Sequence, residues 1–379
     1  MPLVLNEEQR MLRDSVRDFV TDNANVDHFR TLRDKGDGKS YDPDTWAKLA
    51  ELGISGICIP EAHGGLDFGY MAMGAVFEEF GKQLTASPLL SSAVFGASLI
   101  ELAGTEAQKS KYLPAIAAGE LTVAVAIEEG SHHAPLYTML PVTESENGFI
   151  LNGRKAFVID GQSADLLIIL GRSSGDLGDT DGLTLLLLDQ DAAGMQREND
   201  RMVDSRDYAD LVFADTQVSA DALLGSVGAA FDPLVLSLDR ARACLAAEML
   251  GGAQEMFDRT IAYLQERDQF GQKIGSFQAL QHRAADMYTE LELTRSAVMD
   301  ALSALDEQRN DIGQAVSTAK CRINDTCLHI ANEAIQMHGG IGVTDELDIG
   351  LFFKRCHVSI NLLGNSGYHA ERFAGLNGF

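Results

Sequence analysis

Glu266-Arg267-Asp268-Gln269-Phe270-Gly271-Gln272-Lys273-Ile274 interrupts a succession of unusually long helical patterns. Before it, apolar and small residues recur at helical spacing from Leu234 to about Gln265; after it, the same period returns from Phe277 to about Asp306 and from Ile312 to about His338. A second glycine-bearing break, Gln336-Met337-His338-Gly339-Gly340-Ile341-Gly342-Val343-Thr344, closes the third pattern. Helices of this length, roughly 40 Å at about 1.5 Å per residue, predict a helical bundle. Ala241, Ala243, Ala246, Ala247, Gly251 and Gly252 supply the short side chains that let such helices approach closely.

Upstream the pattern changes twice. From Asn6 to about Leu121 the apolar spacing is helical, as in Met11, Leu12, Val16, Phe19 and Val20. Trp46 to Gly53 predicts a helix ending on glycine, and Ile57-Cys58-Ile59-Pro60-Glu61-Ala62-His63-Gly64-Gly65 an irregular loop. After Thr122 the residues favour strands: Val123 to Ile127, Phe149 to Leu151, Lys155 to Ile159, Leu166 to Leu170, Leu183 to Leu188, Leu211 to Phe213 and Gln217-Val218. Asn152-Gly153 predicts a hairpin turn between two of them. Ser173 to Gly182, rich in Ser, Gly and Asp, predicts a surface loop. The expected division is 1–121 helical, 122–228 β and 229–379 bundle.

A chain of 379 residues with 45% hydrophobic content affords two or three domains. Its net charge of -26 disfavours nucleic acid and anionic lipid as partners. Cys58, Cys244, Cys321, Cys327 and Cys356 lack CxxC spacing and are odd in number, which favours reduced packing thiols and the cytoplasm. Met1-Pro2-Leu3-Val4-Leu5-Asn6 has no basic leader followed by an apolar stretch, and no run of eighteen apolar residues occurs. His132-His133 lacks a third metal ligand at useful spacing, so a solvated loop is expected there. No GxGxxG follows a strand, so no Rossmann site is indicated.

The two breaks, together with Phe277-Gln278-Ala279-Leu280-Gln281-His282, Asp286-Met287 and the loop at Ile57 to Gly65, resemble the acyl-CoA dehydrogenase family over nearly the whole chain. The resemblance implies an acyl-CoA dehydrogenase-like fold: an N-terminal α-helical domain, a middle antiparallel β domain and a C-terminal four-helix bundle. It also implies FAD lying across a subunit interface, its adenine and pyrophosphate on the neighbour's bundle and its ring on the β domain. Arg267 matches the pyrophosphate-binding arginine of the family, and a planar guanidinium suits two phosphate oxygens. Gln269 and Phe270 would add a hydrogen bond and a flat apolar contact, while Gln336, Gly339 and Gly340 match the second loop. Each feature also has a plainer interpretation: Arg267 capping a helix, and Gly339-Gly340 only ending one. His338 is expected to contact cofactor or an interface.

The chemical half departs from the family. The resemblance places the α-proton base before a Gly-Thr near the C-terminus, where this chain has Leu363 ahead of Gly364-Asn365, or before an arginine in the first bundle helix, where it has Ala241 ahead of Arg242. Asp239 lies about 200° around the helix from Ala241, and Glu248 about 10 Å along it. Neither reaches the same atom, and both are expected to pair or solvate on the bundle surface. Relatives carry Thr-Glu-Pro-Gly and Trp-Ile-Thr-Asn-Gly where this chain has Ile127-Glu128-Glu129-Gly130 and Phe157-Val158-Ile159-Asp160-Gly161. Ile127 and Ile159 cannot hydrogen-bond a flavin, and Glu128 with Glu129 would oppose charge on a reduced ring.

The resemblance therefore implies a non-catalytic subunit that lends its nucleotide loops to the FAD of a homologous catalytic partner, as α2β2, acting on an acyl-CoA that includes the steroid-derived class. Electron-transfer flavoprotein is the family's expected acceptor. Two other readings stay open: a self-sufficient flavoenzyme, dehydrogenating or oxygenating, with a relocated base, and a scaffold without ligand.

Overall fold

The computed structural model describes residues 4–35 and 41–379, leaving Met1, Pro2 and Leu3 of the N-terminal stretch outside the described residues. Six helices come first: α1 (Glu7–Asn23), α2 (Val26–Lys35), α3 (Pro43–Glu51), α4 (Tyr70–Gln83), α5 (Ala97–Ala103) and α6 (Glu106–Ala117). Asn6 starts α1 with a reciprocal cap: its side chain accepts from Gln9 N at 2.8 Å, and Asn6 N donates to Gln9 Oε1 at 3.0 Å. Between α4 and α5 the chain winds as a buried π-helix, Leu89–Gly96.

Eight strands follow: β1 (Val123–Ala126), β2 (Val142–Ser145), β3 (Gly148–Ile159), β4 (Leu166–Arg172), β5 (Leu183–Asp189), β6 (Met195–Arg201), β7 (Asp207–Ser219) and β8 (Leu223–Leu224). They form two four-stranded sheets, ordered β1-β4-β5-β8 and β2-β3-β7-β6. All pairings are antiparallel except β1 with β4. Alternate residues from both sheets, including Leu167, Ile169, Leu186 and Leu188 from one and Leu151, Leu211 and Phe213 from the other, share one core.

Asn152-Gly153 is not a hairpin turn. β3 runs straight through it, and the register against β7 slips between Leu151 and Gly153: β7 advances from Thr216 to Phe213 while β3 advances only from Leu151 to Gly153, so the extra residue of the bulge lies on β7, where Asp215 has φ +50°. Only Gly153 has the positive φ, +143°, whereas the predicted turn requires both residues there. The hairpin lies instead between β2 and β3, where Ser145 pairs with Gly148.

The remaining elements are α7 (Phe231–Glu266), β9 (Asp268–Gln269), β10 (Gln272–Lys273), α8 (Gln278–Asp306), α9 (Ile312–His338), α10 (Ile349–Ser359) and α11 (Ser366–Leu376). The chain divides into two compact units. One holds Met1–Arg30, Tyr70–Thr85 and Arg242–Phe379; the other holds Thr31–Gly69 and Ala86–Ala241. In the first, α8 packs on α9, α9 on α10 and α11, and α1 on α4. Close approach comes where the sequence predicts it: a Cβ on Gly251 would strike the Glu78 carbonyl, and one on Gly81 the Glu248 carbonyl. The second unit contains the two sheets and α3, whose Trp46 donates from Nε1 to Gly119 O at 3.1 Å. Among the described residues no helix is long and apolar enough to cross a membrane, and all five cysteines are free thiols.

Candidate functional site

The first glycine-bearing break is a tight hairpin on the end of α7. Arg267 N still closes a helical bond to Tyr263 O at 2.9 Å; then Asp268 and Gln269 pair with Lys273 and Gln272. Phe270 and Gly271 turn the chain with φ of +54° and +78°, the left-handed pair that a two-residue hairpin demands. Holding a phenylalanine there costs about 1–3 kcal/mol. Its ring is 90% exposed and meets only the edge of Phe277, at 6.2 Å between centroids. Lys273 Nζ donates to Glu266 O at 2.7 Å and pairs with Asp268 at 2.8 Å, so Lys273, not Arg267, caps the carbonyl end of α7. The Arg267 guanidinium is exposed and has no side-chain partner among the described residues. Gln269 is likewise exposed.

The second break ends α9. Gly339 takes φ +65° and ψ -145°, a region open essentially to glycine alone. A Cβ on Gly339 or Gly340 would meet nothing within 4 Å among the described residues. Gln336 is exposed on the last turn. His338, by contrast, points inward against α7. It is 6% exposed and stacks on Tyr263 at 4.4 Å and 27°. Its Nδ1 lies 2.8 Å from Ala334 O, which assigns the proton to that nitrogen, and burial holds the imidazole below its ordinary pKa. Tyr263 Oη donates to His338 O at 3.3 Å. The ends of α7 and α9 are thus joined, and with them the two loops.

The segment Asn361 to Ser366 carries no acid. Leu363 is 4% exposed with φ +57°, and its carbonyl accepts from Arg242 Nε at 3.0 Å and His369 Nε2 at 3.2 Å. Lys320 Nζ donates to Asn324 Oδ1 at 2.6 Å, Ser359 O at 3.0 Å and Gly364 O at 3.3 Å. Burial, and next the Arg242 charge, lower this lysine to about 7. Asp239 and Glu248 are buried, 3% and 6% exposed, and not the surface acids expected. Glu248 accepts from Arg355 Nη1 at 3.2 Å, both side chains being below a tenth exposed, so it is committed to that pair.

In the β unit Glu128 and Glu129 are both paired within the chain. Glu129 is not aimed outward: it pairs with Lys155 Nζ at 2.7 Å and accepts from Met139 N at 2.8 Å and Leu140 N at 2.9 Å. Lys155, fully buried, also donates to Ile127 O at 3.2 Å, and its burial, opposed by Glu129, brings its pKa down to about 8. Glu128 is bonded to His133, whose side chain is 3% exposed, so that histidine is a buried partner and not a solvated one. Ile127 is buried, Ile159 half-buried, and neither offers a donor. Asp160, at φ +57°, is buried against the Ser91 hydroxyl. No cluster of metal ligands occurs among the described residues.

Sequence reasoning singled out Arg267, Gln269, Phe270, Gln336, Gly339 and Gly340, and the structure brings them together at one end of the helices. It missed Tyr263, whose only signal was its place one helical turn before Arg267, and the buried Lys155 and Lys320.

Helices ahead of a two-sheet sandwich ahead of long bundled helices, with an exposed arginine and bare glycines at the bundle end, form the three-part architecture that the acyl-CoA dehydrogenase resemblance implies. Profiles of the acyl-CoA dehydrogenase N-terminal, middle and C-terminal domains match residues 6–120, 127–216 and 233–374. The chain is 31% identical over 369 residues to mitochondrial isovaleryl-CoA dehydrogenase of Pongo abelii, covering 92% of this chain and 84% of that protein. It is 30% identical over 365 residues to subunit CarC of the caffeyl-CoA reductase-Etf complex of Acetobacterium woodii, covering 94% of each. A solved variant of the Tcur3481-Tcur3483 steroid ACAD superposes over 98% of both chains with a TM-score of 0.88 and 30% identity. The chain belongs to the acyl-CoA dehydrogenase family, whose members bind FAD.

Proposed function

We propose that this chain is the non-catalytic subunit of a heteromeric acyl-CoA dehydrogenase, assembled as α2β2 in the cytoplasm with a homologous catalytic subunit. The observation that carries the proposal is Leu363: an apolar, buried side chain on the loop where relatives hold the base, with Glu248, the acid seven residues beyond Ala241, already paired to Arg355. A positioned base is worth about 10² to 10⁴ in rate, so its loss excludes ordinary turnover by this chain.

The chain's residues suit the adenosine diphosphate end of FAD and not its ring. Arg267 would grip the pyrophosphate, Phe270 would cover a flat apolar surface, Gln269 and Gln336 would hydrogen-bond, and Gly339 with Gly340 would let backbone N–H groups come close. Ile127 and Ile159 would leave the ring's heteroatoms without side-chain donors. When bound, FAD supplies hydride acceptance from the acyl β-carbon; this chain contributes grip and orientation. We take the domain limits as 1–121, 122–228 and 229–379. The two-name steroid ACAD relative supports both heteromer and steroid-derived acyl-CoA, and CarC supports an electron-transfer flavoprotein partner.

The test is to purify the chain alone and after co-expression with a homologue bearing glutamate at the base position. The proposal expects FAD and acyl-CoA turnover only after co-expression, at one flavin for every two chains. Full flavin loading with turnover by the lone chain would establish the self-sufficient enzyme instead. Unchanged flavin retention in an Arg267→Ala complex would leave a ligand-free scaffold.

A further inference from the structure

We infer that Tyr263 and His338 form a positioning pair that sets the spacing of the two nucleotide loops, so that Arg267 and the Gly339-Gly340 backbone engage one diphosphate together. This rests on the reading of those loops as the adenosine diphosphate site. Neither residue touches the ligand in this account; both act through the backbone that follows them.

Each partner is tied to its own loop within one helical turn. Tyr263 O receives the Arg267 amide at 2.9 Å, so the tyrosine's backbone fixes where the arginine leaves the helix. His338 directly precedes Gly339, and its Nδ1 bond to Ala334 O, 2.8 Å, fixes the ring against the preceding turn. Between the two helices stand the stacked rings, 4.4 Å apart, and the Tyr263 hydroxyl on His338 O at 3.3 Å. That carbonyl belongs to the last turn of α9, where carbonyls lack partners from the helix itself. The loop then folds back over the joint: a Cβ on Gly342 would lie 3.0 Å from His338 Cβ and 2.9 Å from Ile335 O. Packing alone does not require a histidine with both contacts at the one position where the helix hands over to bare glycine.

A joint of this kind acts on affinity only when both loops hold the same ligand. Substitution should therefore matter when Arg267 is present and cease to matter when it is gone. His338→Ala removes ring and bond; His338→Phe keeps a ring on Tyr263 and removes the Ala334 bond.

The co-expressed complex, stripped of FAD, is titrated calorimetrically with ADP as probe, with melting midpoints recorded for every variant. Wild type binds ADP and Arg267→Ala weakens it to a lower but still measurable affinity. His338→Ala weakens binding about five- to tenfold, His338→Phe restores most of it, and His338→Ala on the Arg267→Ala background adds nothing. Wild-type affinity in His338→Ala while Arg267→Ala is weakened would overturn the positioning role alone, as would a His338→Phe variant as weak as His338→Ala. ADP binding absent from wild type, or indifferent to Arg267→Ala, would overturn the nucleotide reading beneath it.

Discussion

Lys320 shows what one buried amine does to a 379-residue chain. It lies wholly inside the helical unit, bonded to Asn324, Ser359 and Gly364, and its pKa falls from 10.5 to about 7 through burial and the nearby Arg242. Between about 7 and 10.5 the unfolded chain binds the proton that the folded chain has shed, so stability rises with pH across that window and is level outside it. Lys320→Met has no such titration. Its melting midpoint should lie below wild type throughout, and the gap should widen from pH 7 to pH 10; parallel curves would show that Lys320 stays charged. Lys155, at about 8, contributes the same slope to both proteins and cancels in the comparison. Arg267 and the glycines announced themselves by residue type and spacing, but the burial of Lys155 and Lys320 did not. A lysine's usual place is the surface, and only the third dimension puts Glu129 against one and carbonyl oxygens around the other.

At the scale of elements, the long helices were legible because their period persists over many turns: α8 and α9 end at Asp306 and His338 as the spacing predicts. β6 was not, because Met195-Gln196-Arg197-Glu198-Asn199-Asp200-Arg201 is an edge strand whose charges guard an open ladder and erase alternation. Asn152-Gly153 misled because the dipeptide can also lie within a strand, opposite a bulge in its neighbour, and the extra residue on β7 is not visible from β3 alone. The β9–β10 hairpin carries a further conflict. Its turn holds Phe270 in a left-handed conformation and almost fully exposed, which lowers stability unless something outside the fold uses the ring. Phe270→Gly should therefore raise the melting midpoint, relieving about 1 kcal/mol, and in the co-expressed complex should shorten FAD retention. A variant that lowers the midpoint and leaves retention unchanged would return Phe270 to a purely local role.

For the whole molecule, the family's architecture is retained from end to end, while Leu363, which we propose stands at the base position, is apolar. The cage around that position is nonetheless complete, since Arg242, His369, Asn324 and Lys320 all donate to the Leu363 and Gly364 carbonyls or hold the residues that do. Leu363→Glu thus sets a carboxylate on a loop already fixed in place, with the buried Arg242 guanidinium nearby to tolerate its charge. If the sole deficit were the missing base, this variant of the lone chain would take up FAD and oxidise acyl-CoA. The heteromer account expects neither, because Ile127 and Ile159 still offer the ring no donors and the nucleotide loops serve a flavin whose ring sits on another subunit. In the complex, the variant should leave turnover per flavin at the wild-type level, whereas Arg267→Ala should empty the flavin site and abolish turnover with it. Flavin content and anaerobic reduction by acyl-CoA, measured on both variants with and without the partner, separate a lost base from a divided site.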